Sequence, residues 1–177
     1  MKHKKKRFNF FKSVKDLEKE LPRLPGEDVV YKLVSDGGFS SISFVKYIAD
    51  RAKIQNFYAS SFRIGRKELQ IIEMLHRLER IDMCHFAVGT LMSNDSVAVK
   101  KYKYYDNFKL VCETNGWEYI TVNNHSKLLL FDTEAGKYVV ETSSNLNENP
   151  KIEQFSFEKS DELFDFYRSE FRRWSDG

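Results

Sequence analysis

Cysteine is scarce in this chain of 177 residues: Cys84 and Cys112 are its only two. Two thiols at an ordinary spacing exclude a disulfide framework and a cysteine-based zinc site, and they predict reduced thiols in a cytoplasmic protein. Long apolar runs are missing as well. None approaches the roughly 18 residues that a membrane span requires. The basic start, Lys2 and Lys4 to Arg7, is not followed by the apolar stretch of a secretory leader. Internal repeats and low-complexity segments are absent beyond that lysine run. A large charge excess is absent too, since 29 Lys and Arg face 26 Asp and Glu for a formal charge of +3. The five cations at the start exceed the whole excess, so the rest of the chain is net acidic. What remains is enough for a folded domain. Hydrophobic residues make up 41% and charged residues 31%, and a chain of this length buries about two thirds of its unfolded surface without help from metals or disulfides.

The pattern then alternates strand and helix. Ser13 to Leu21 predicts a short helix with Leu17 and Leu21 on one face. Pro22, Pro25 and Gly26 break it. The chain is therefore divided into a basic arm over residues 1–27 and a domain over residues 28–177. Val29 to Val34 reads as a strand, and Phe39, Ile42, Val45 and Ile48 share a helix face. A strand follows over Ile54 to Ile64 and a helix over Lys67 to Arg80, with Leu69, Ile72, Leu75 and Leu78 on one stripe. Ile81 to Leu91 is a further strand. A helix capped at Asn94 or Asp95 carries Tyr105, Phe108 and Cys112 and ends at Asn115-Gly116. Strands are expected at Trp117 to Val122, Leu128 to Phe131, Tyr138 to Glu141 and Phe155 to Phe157, with a hairpin through Gly136. Ser160 caps a last helix carrying Leu163, Tyr167, Phe171 and Trp174. Repeated strand–helix pairs argue for a three-layer α/β/α sandwich around a mixed, largely parallel sheet.

Of the four histidines, His3 lies in the arm, His76 on a helix, and His85 within an apolar strand that suits a satisfied core imidazole. His125 stands in a pattern. It is followed by Ser126-Lys127, four apolar residues and Asp132, then Thr142-Ser143-Ser144-Asn145-Leu146, then Glu153. Residues two apart on a strand share a face, so His125 and Lys127 point the same way. An imidazole beside a fixed ammonium suits phosphoryl chemistry, one group to attack or move protons and one to hold a phosphate oxygen. Asp132 has the opposite parity and is expected to brace structure. Ser143 and Asn145 share a parity and can both donate to a phosphate.

His125 to Asp132 with Ser143 to Leu146 resembles the HKD motif of the phospholipase D superfamily, H-x-K-x4-D-x6-G-S-x-N. Asn145 to Gln154 resembles the end of that motif in small phospholipase D-like proteins, several of them encoded by phages or prophages. The resemblance covers about 30 residues. It implies the α/β/α sandwich, a site that takes two such motifs, a phosphohistidine formed by one histidine and proton transfer by the other, and no metal or other cofactor. By the same match, His125 is nucleophile or acid–base, Lys127 and Asn145 are phosphate ligands, Ser143 is a hydrogen-bonding partner, and Glu153 orients a histidine. No second H-x-K occurs in the chain, and single-motif members of the family dimerise about a two-fold axis. A homodimer sharing two copies of His125 is therefore expected. Two features depart from the motif. Thr142 stands where it has glycine, and nine residues rather than six separate Asp132 from Thr142. An alternative alignment takes Ser143-Ser144 as the Gly-Ser pair and places Leu146 at the asparagine.

Phosphodiesters are the implied substrate class. Lys100, Lys101 and Lys103 interleave with Tyr102, Tyr104 and Tyr105, a strip that can track phosphates and stack bases, and Arg63 and Arg66 with Lys67 suit a channel mouth. With the lysine arm they favour nucleic acid over a membrane, and a nuclease over a phospholipase. The competing expectation is a nucleic-acid-binding module that keeps the fold without turnover.

Overall fold

A computed structural model of the protein describes residues 4–11, 14–90, 104–147 and 151–176. Eight strands form one sheet: β1 (Lys5–Phe11), β2 (Val29–Asp36), β3 (Ile54–Ser61), β4 (Ile81–Gly89), β5 (Glu118–Val122), β6 (Leu128–Thr133), β7 (Gly136–Thr142) and β8 (Ile152–Lys159). Five helices are interspersed: α1 (Val14–Glu20), α2 (Ile42–Ala49), α3 (Arg66–Arg77), α4 (Tyr104–Asn115) and α5 (Asp161–Asp176). The strand order is β1-β2-β8-β7-β6-β3-β4-β5.

Each strand's place follows from its pattern. Leu128, Leu129, Leu130 and Phe131 of β6 are all buried, as befits a central strand covered on both faces. β2 alternates instead, with Tyr31, Leu33 and Ser35 buried and Lys32, Val34 and Asp36 exposed, so only one of its faces meets the core. The larger core lies between the sheet and α1 to α4, around Phe44, Phe57, Phe86, Phe108, Phe131 and Phe157. The second lies under α5, where Phe164 and Phe171 meet Tyr58, Leu128, Leu130 and Val139. The architecture is thus an α/β/α sandwich.

The sheet is mixed, and its parallel share is smaller than a largely parallel sheet implies. β1–β2, β3–β4 and β4–β5 pair in parallel. β2–β8, β3–β6, β6–β7 and β7–β8 pair antiparallel. The reason is the Glu134–Ala135 hairpin: it returns β7 beside β6, and β8 continues the meander into the middle of the sheet. Gly136, at a φ of 119° that L side chains rarely adopt, makes the reversal possible.

The segment expected as a basic arm supplies two elements. β1 pairs along its whole length with β2, and Leu17 of α1 and Leu21 just beyond it are buried in the main core. Its lysines suit an edge strand, since charge there discourages pairing with another chain. The helix expected to reach Arg80 ends at Arg77, because Glu79 turns to a φ of 56°. Asn94 and Asp95, expected as a helix cap, lie outside the described residues.

Candidate functional site

The site is built where β3 and β4 end and β6 begins. Antiparallel pairing of β3 with β6 sets Ser60 opposite Leu128, so the loop before β6 must rise over the ends of β3 and β4. Asn124 holds that loop. Its Nδ2 donates to Ser60 Oγ at 2.7 Å and to the Ala87 carbonyl at 3.1 Å. Its Oδ1 accepts from the Ser126 backbone N–H and hydroxyl, both at 2.8 Å. Ser126 Oγ also bonds Ser60 Oγ. One amide therefore ties three strand ends together and fixes the residue between its own bonds, His125.

His125 is exposed, and its ring lies 5.5 Å from that of Phe62. Close approach at Gly89 makes room for this contact. A Cβ there would stand 2.8 Å from Phe62 Cδ2 and 3.1 Å from the Asn124 carbonyl oxygen. Lys127 Nζ lies 2.9 Å from His125 Nδ1 and 3.4 Å from Nε2, and it also donates to the His125 carbonyl. A ring nitrogen that carries its lone pair can accept from this ammonium. Burial lowers the Lys127 pKa from its ordinary value, and the nearby Glu153 carboxylate acts in the opposite direction.

The second half of the site comes from the β7–β8 connection. Thr142 N–H donates to the Lys127 carbonyl at 3.2 Å, which seats the connection beside the β6 entrance. Ser143 Oγ donates to the buried Glu153 carboxylate and accepts from the Gln154 N–H at 3.0 Å. Ser61 Oγ reaches Asn145 Oδ1 at 3.5 Å and accepts from the Leu146 N–H at 2.9 Å. Leu146 itself is buried in the main core. Ser41, just before α2, donates to the Ser144 carbonyl at 3.2 Å.

Hence the fold brings His125, Lys127, Ser143, Asn145 and Glu153 to one end of the sheet. Arg63 and Arg66 are exposed beside them, with the Arg63 guanidinium 5.6 Å from the Phe62 ring centroid. Asp132 lies at the far end of β6, where Asn56 Nδ2 donates to its carboxylate at 3.4 Å. Asn56 Oδ1 lies 3.4 Å from His85 Nε2, and His85 Nδ1 lies 2.8 Å from Glu118 Oε2. Lys100, Lys101 and Lys103 lie outside the described residues. Ser60, Ser61 and Asn124 belong to the site and carry no sequence motif. Only a hydroxyl pair at the end of a strand and an asparagine preceding the histidine could have marked them. Among the described residues, no group of three or more His, Cys, Asp or Glu side chains gathers as a metal site, and no helix is long and apolar enough to cross a membrane.

An exposed imidazole with an ammonium at hydrogen-bond distance, backed by hydroxyls and a buried carboxylate, can bind an anionic phosphoryl group and exchange protons with it. Solved structures share the fold. The chain is similar to Nuc, a phospholipase D family member from Salmonella typhimurium, with 14% identity, 83% of this chain and 93% of that chain covered, and a TM-score of 0.55. It is similar to polyphosphate kinase from Porphyromonas gingivalis, with 12% identity, 90% of this chain and 29% of that chain covered, and a TM-score of 0.64. An archaeal chromatin protein with a novel mode of DNA binding, TrmBL2, is similar over 91% of this chain and 57% of its own, at 12% identity and a TM-score of 0.53. No protein-family model matches the chain, and no curated protein matches it in sequence. The fold is thus one that phospholipase D family members share.

Proposed function

We propose that the protein is a phosphodiesterase, a metal-independent nuclease that works through a phosphohistidine in a homodimeric site. The observation that carries this reading is the His125–Lys127 pair, an exposed imidazole with an ammonium 2.9 Å from its ring nitrogen. A phosphodiester that displaces the ring as acceptor for Lys127 frees the imidazole lone pair for attack on phosphorus. The bond from phosphorus to the leaving oxygen then breaks, and His125 of the partner subunit gives that oxygen a proton. The same partner imidazole next removes a proton from water, water attacks phosphorus, and the P–N bond breaks to restore His125. Lys127 and Asn145 hold the non-bridging oxygens. Glu153, bonded to Ser143 and acting on Lys127 through its charge, sets the position and basicity of the histidine surroundings.

The burial of Leu146 favours the alignment that keeps Asn145 as the motif asparagine. A single H-x-K per chain and the open position of His125 support a shared site, because one subunit offers one imidazole and a two-fold axis offers two. Thr142 at the motif glycine supports a second reading, a DNA-binding module without turnover. Its side chain adds bulk where the motif has none, with Oγ1 accepting from the Ser144 N–H at 2.9 Å.

Hydrolysis of bis(p-nitrophenyl) phosphate and of DNA in the presence of EDTA separates the two. The phosphodiesterase reading expects turnover that falls by about 10²–10⁴-fold in His125→Ala while DNA affinity is retained. Wild-type protein that binds DNA and cleaves neither substrate, with or without added divalent metal, overturns it in favour of the binding module.

A further inference from the structure

The sheet is covered unevenly. α5 packs over β5, β6 and β7, and the same face of β8, β2 and β1 carries side chains that no core claims. Register places Phe8 beside Lys32 and Phe10 beside Val34, then Lys32 beside Ser156 and Val34 beside Gln154. These residues line an open groove of about 610 Å³ that runs to Glu141 and Thr142. Phe8 is 76% exposed and Phe10 54%. Two solvated phenyl rings on one strand face are costly unless something covers them.

Charge decides what that is. Lys6 is exposed and shares the parity of Phe8 and Phe10, and Lys32 stands between the phenyls and Ser156, whereas Arg7 has the opposite parity and sets its guanidinium 5.9 Å from the Tyr31 ring. Lys4 is already paired with Glu158. A second copy docked face to face would set Lys6 and Lys32 against their like, which is unfavourable. A polyanion gains instead, through release of its counterions. The two rings project from positions two apart on a strand, about 6.6 Å from one another. That is roughly twice the 3.4 Å rise of stacked bases, so they suit the bases of an extended strand. A duplex hides its base faces and offers only groove edges and phosphates.

We propose that the open face of β1, β2 and β8 binds single-stranded nucleic acid, with Phe8 and Phe10 stacking on successive bases and Lys6 and Lys32 meeting the backbone. The face leads into the site. Thr142 and Gln154 line the groove, and their chain neighbours Ser143 and Glu153 stand at the site's rear. This proposal rests on the nuclease reading for its substrate class and names the strand state.

The test is fluorescence anisotropy with a labelled thymidine 20-mer and with a 20-base-pair duplex, in a His125→Ala background that prevents cleavage. Phe8→Leu/Phe10→Leu is expected to weaken binding of the 20-mer by about 10- to 100-fold, with duplex binding little changed. Phe8→Trp/Phe10→Trp is expected to restore it. Unchanged affinity of the leucine variant for the 20-mer overturns the proposal. So does a wild-type dimer that Phe8→Asp converts to monomer in sedimentation, since that assigns the face to a second copy. Hydrolysis of bis(p-nitrophenyl) phosphate, measured with His125 intact, should be unchanged in the leucine variant. Its absence from wild-type protein refutes the phosphodiesterase reading and leaves the binding result to stand or fall by itself.

Discussion

Asn124 is the side chain on which the candidate site depends most, and Asn124→Ala tests how. The substitution removes four hydrogen bonds of 2.7–3.1 Å. They do not count equally. The two to Ser126 face solvent, and water replaces them at little cost. The two to Ser60 and the Ala87 carbonyl end on groups that are 1% and 0% exposed at the residue level, out of water's reach. Ser60 keeps its bond to Ser126, so the lasting loss centres on the carbonyl. At about 0.5–1.5 kcal/mol net per bond, with buried groups at the upper end, the cost is about 2 kcal/mol. For a chain of this size that lowers Tm by roughly 4–8 °C. Turnover should fall further than stability implies. The amide holds the backbone on either side of His125, and a displacement of about 1 Å at a reacting group costs on the order of 10²-fold. Calorimetry and bis(p-nitrophenyl) phosphate kinetics on the same preparation measure both. Asn124→Asp keeps the acceptor for Ser126 and sets a carboxylate against the Ala87 carbonyl, so it should be at least as destabilising. A variant that loses stability but keeps full turnover would refute the reasoning, because Asn124 would then brace the fold without positioning the imidazole.

Other predictions follow from the same geometry. When wild-type and His125→Ala subunits are mixed in equal amounts and re-equilibrated, a shared site leaves activity only in wild-type pairs. About a quarter of the wild-type activity should remain, and about half would show that each subunit acts alone. Gly89→Ala should lower turnover with a modest loss of stability, since its methyl group drives into Phe62 and the Asn124 carbonyl; unchanged kinetics would mean that the Phe62–His125 contact is idle. Burial raises the Cys84 thiol and pushes the Cys112 thiol up to about 12, and burial with the Glu141 contact pushes the Tyr167 hydroxyl up to about 12. The folded chain holds these protons more tightly than the unfolded chain. Their stabilising contribution is complete below the ordinary thiol value of 9.0 and is lost as pH rises from there toward 12. Denaturant midpoints should fall over that range, and both thiols should resist a disulfide reagent at pH 8 until the chain unfolds.

What could be read before folding was whatever lies within one segment. α3 carries Leu69, Ile72 and Leu75 on one buried stripe, and β6 opens on the apolar run Leu128 to Phe131, so periodicity and length sufficed. His125 and Lys127 share a face because two residues on one extended segment must. β1 escaped because its pattern is inverted. Phe8 and Phe10 alternate with polar residues as in any half-buried strand, but point to solvent, and the lysine run around them resembles a tail. The serines at the end of β3 escaped for a different reason. Ser60 and Ser61 meet Asn124 and Leu146 across more than 60 residues, and only the antiparallel pairing of β3 with β6 brings them there. The parallel share of the sheet was overestimated because strand–helix alternation in the first half implies crossovers, whereas every antiparallel pair includes a strand of the β6, β7 and β8 meander.

On the proposed mechanism His125 bonds covalently to phosphorus. Acid-free quenching during turnover of a slow phosphodiester, followed by mass spectrometry of the peptide carrying residue 125, measures that bond directly. A phosphoryl adduct on His125 is expected, lost in acid and absent from Lys127→Met, which retains the imidazole without its ammonium. Steady turnover with an unmodified His125 peptide at every time point would contradict it.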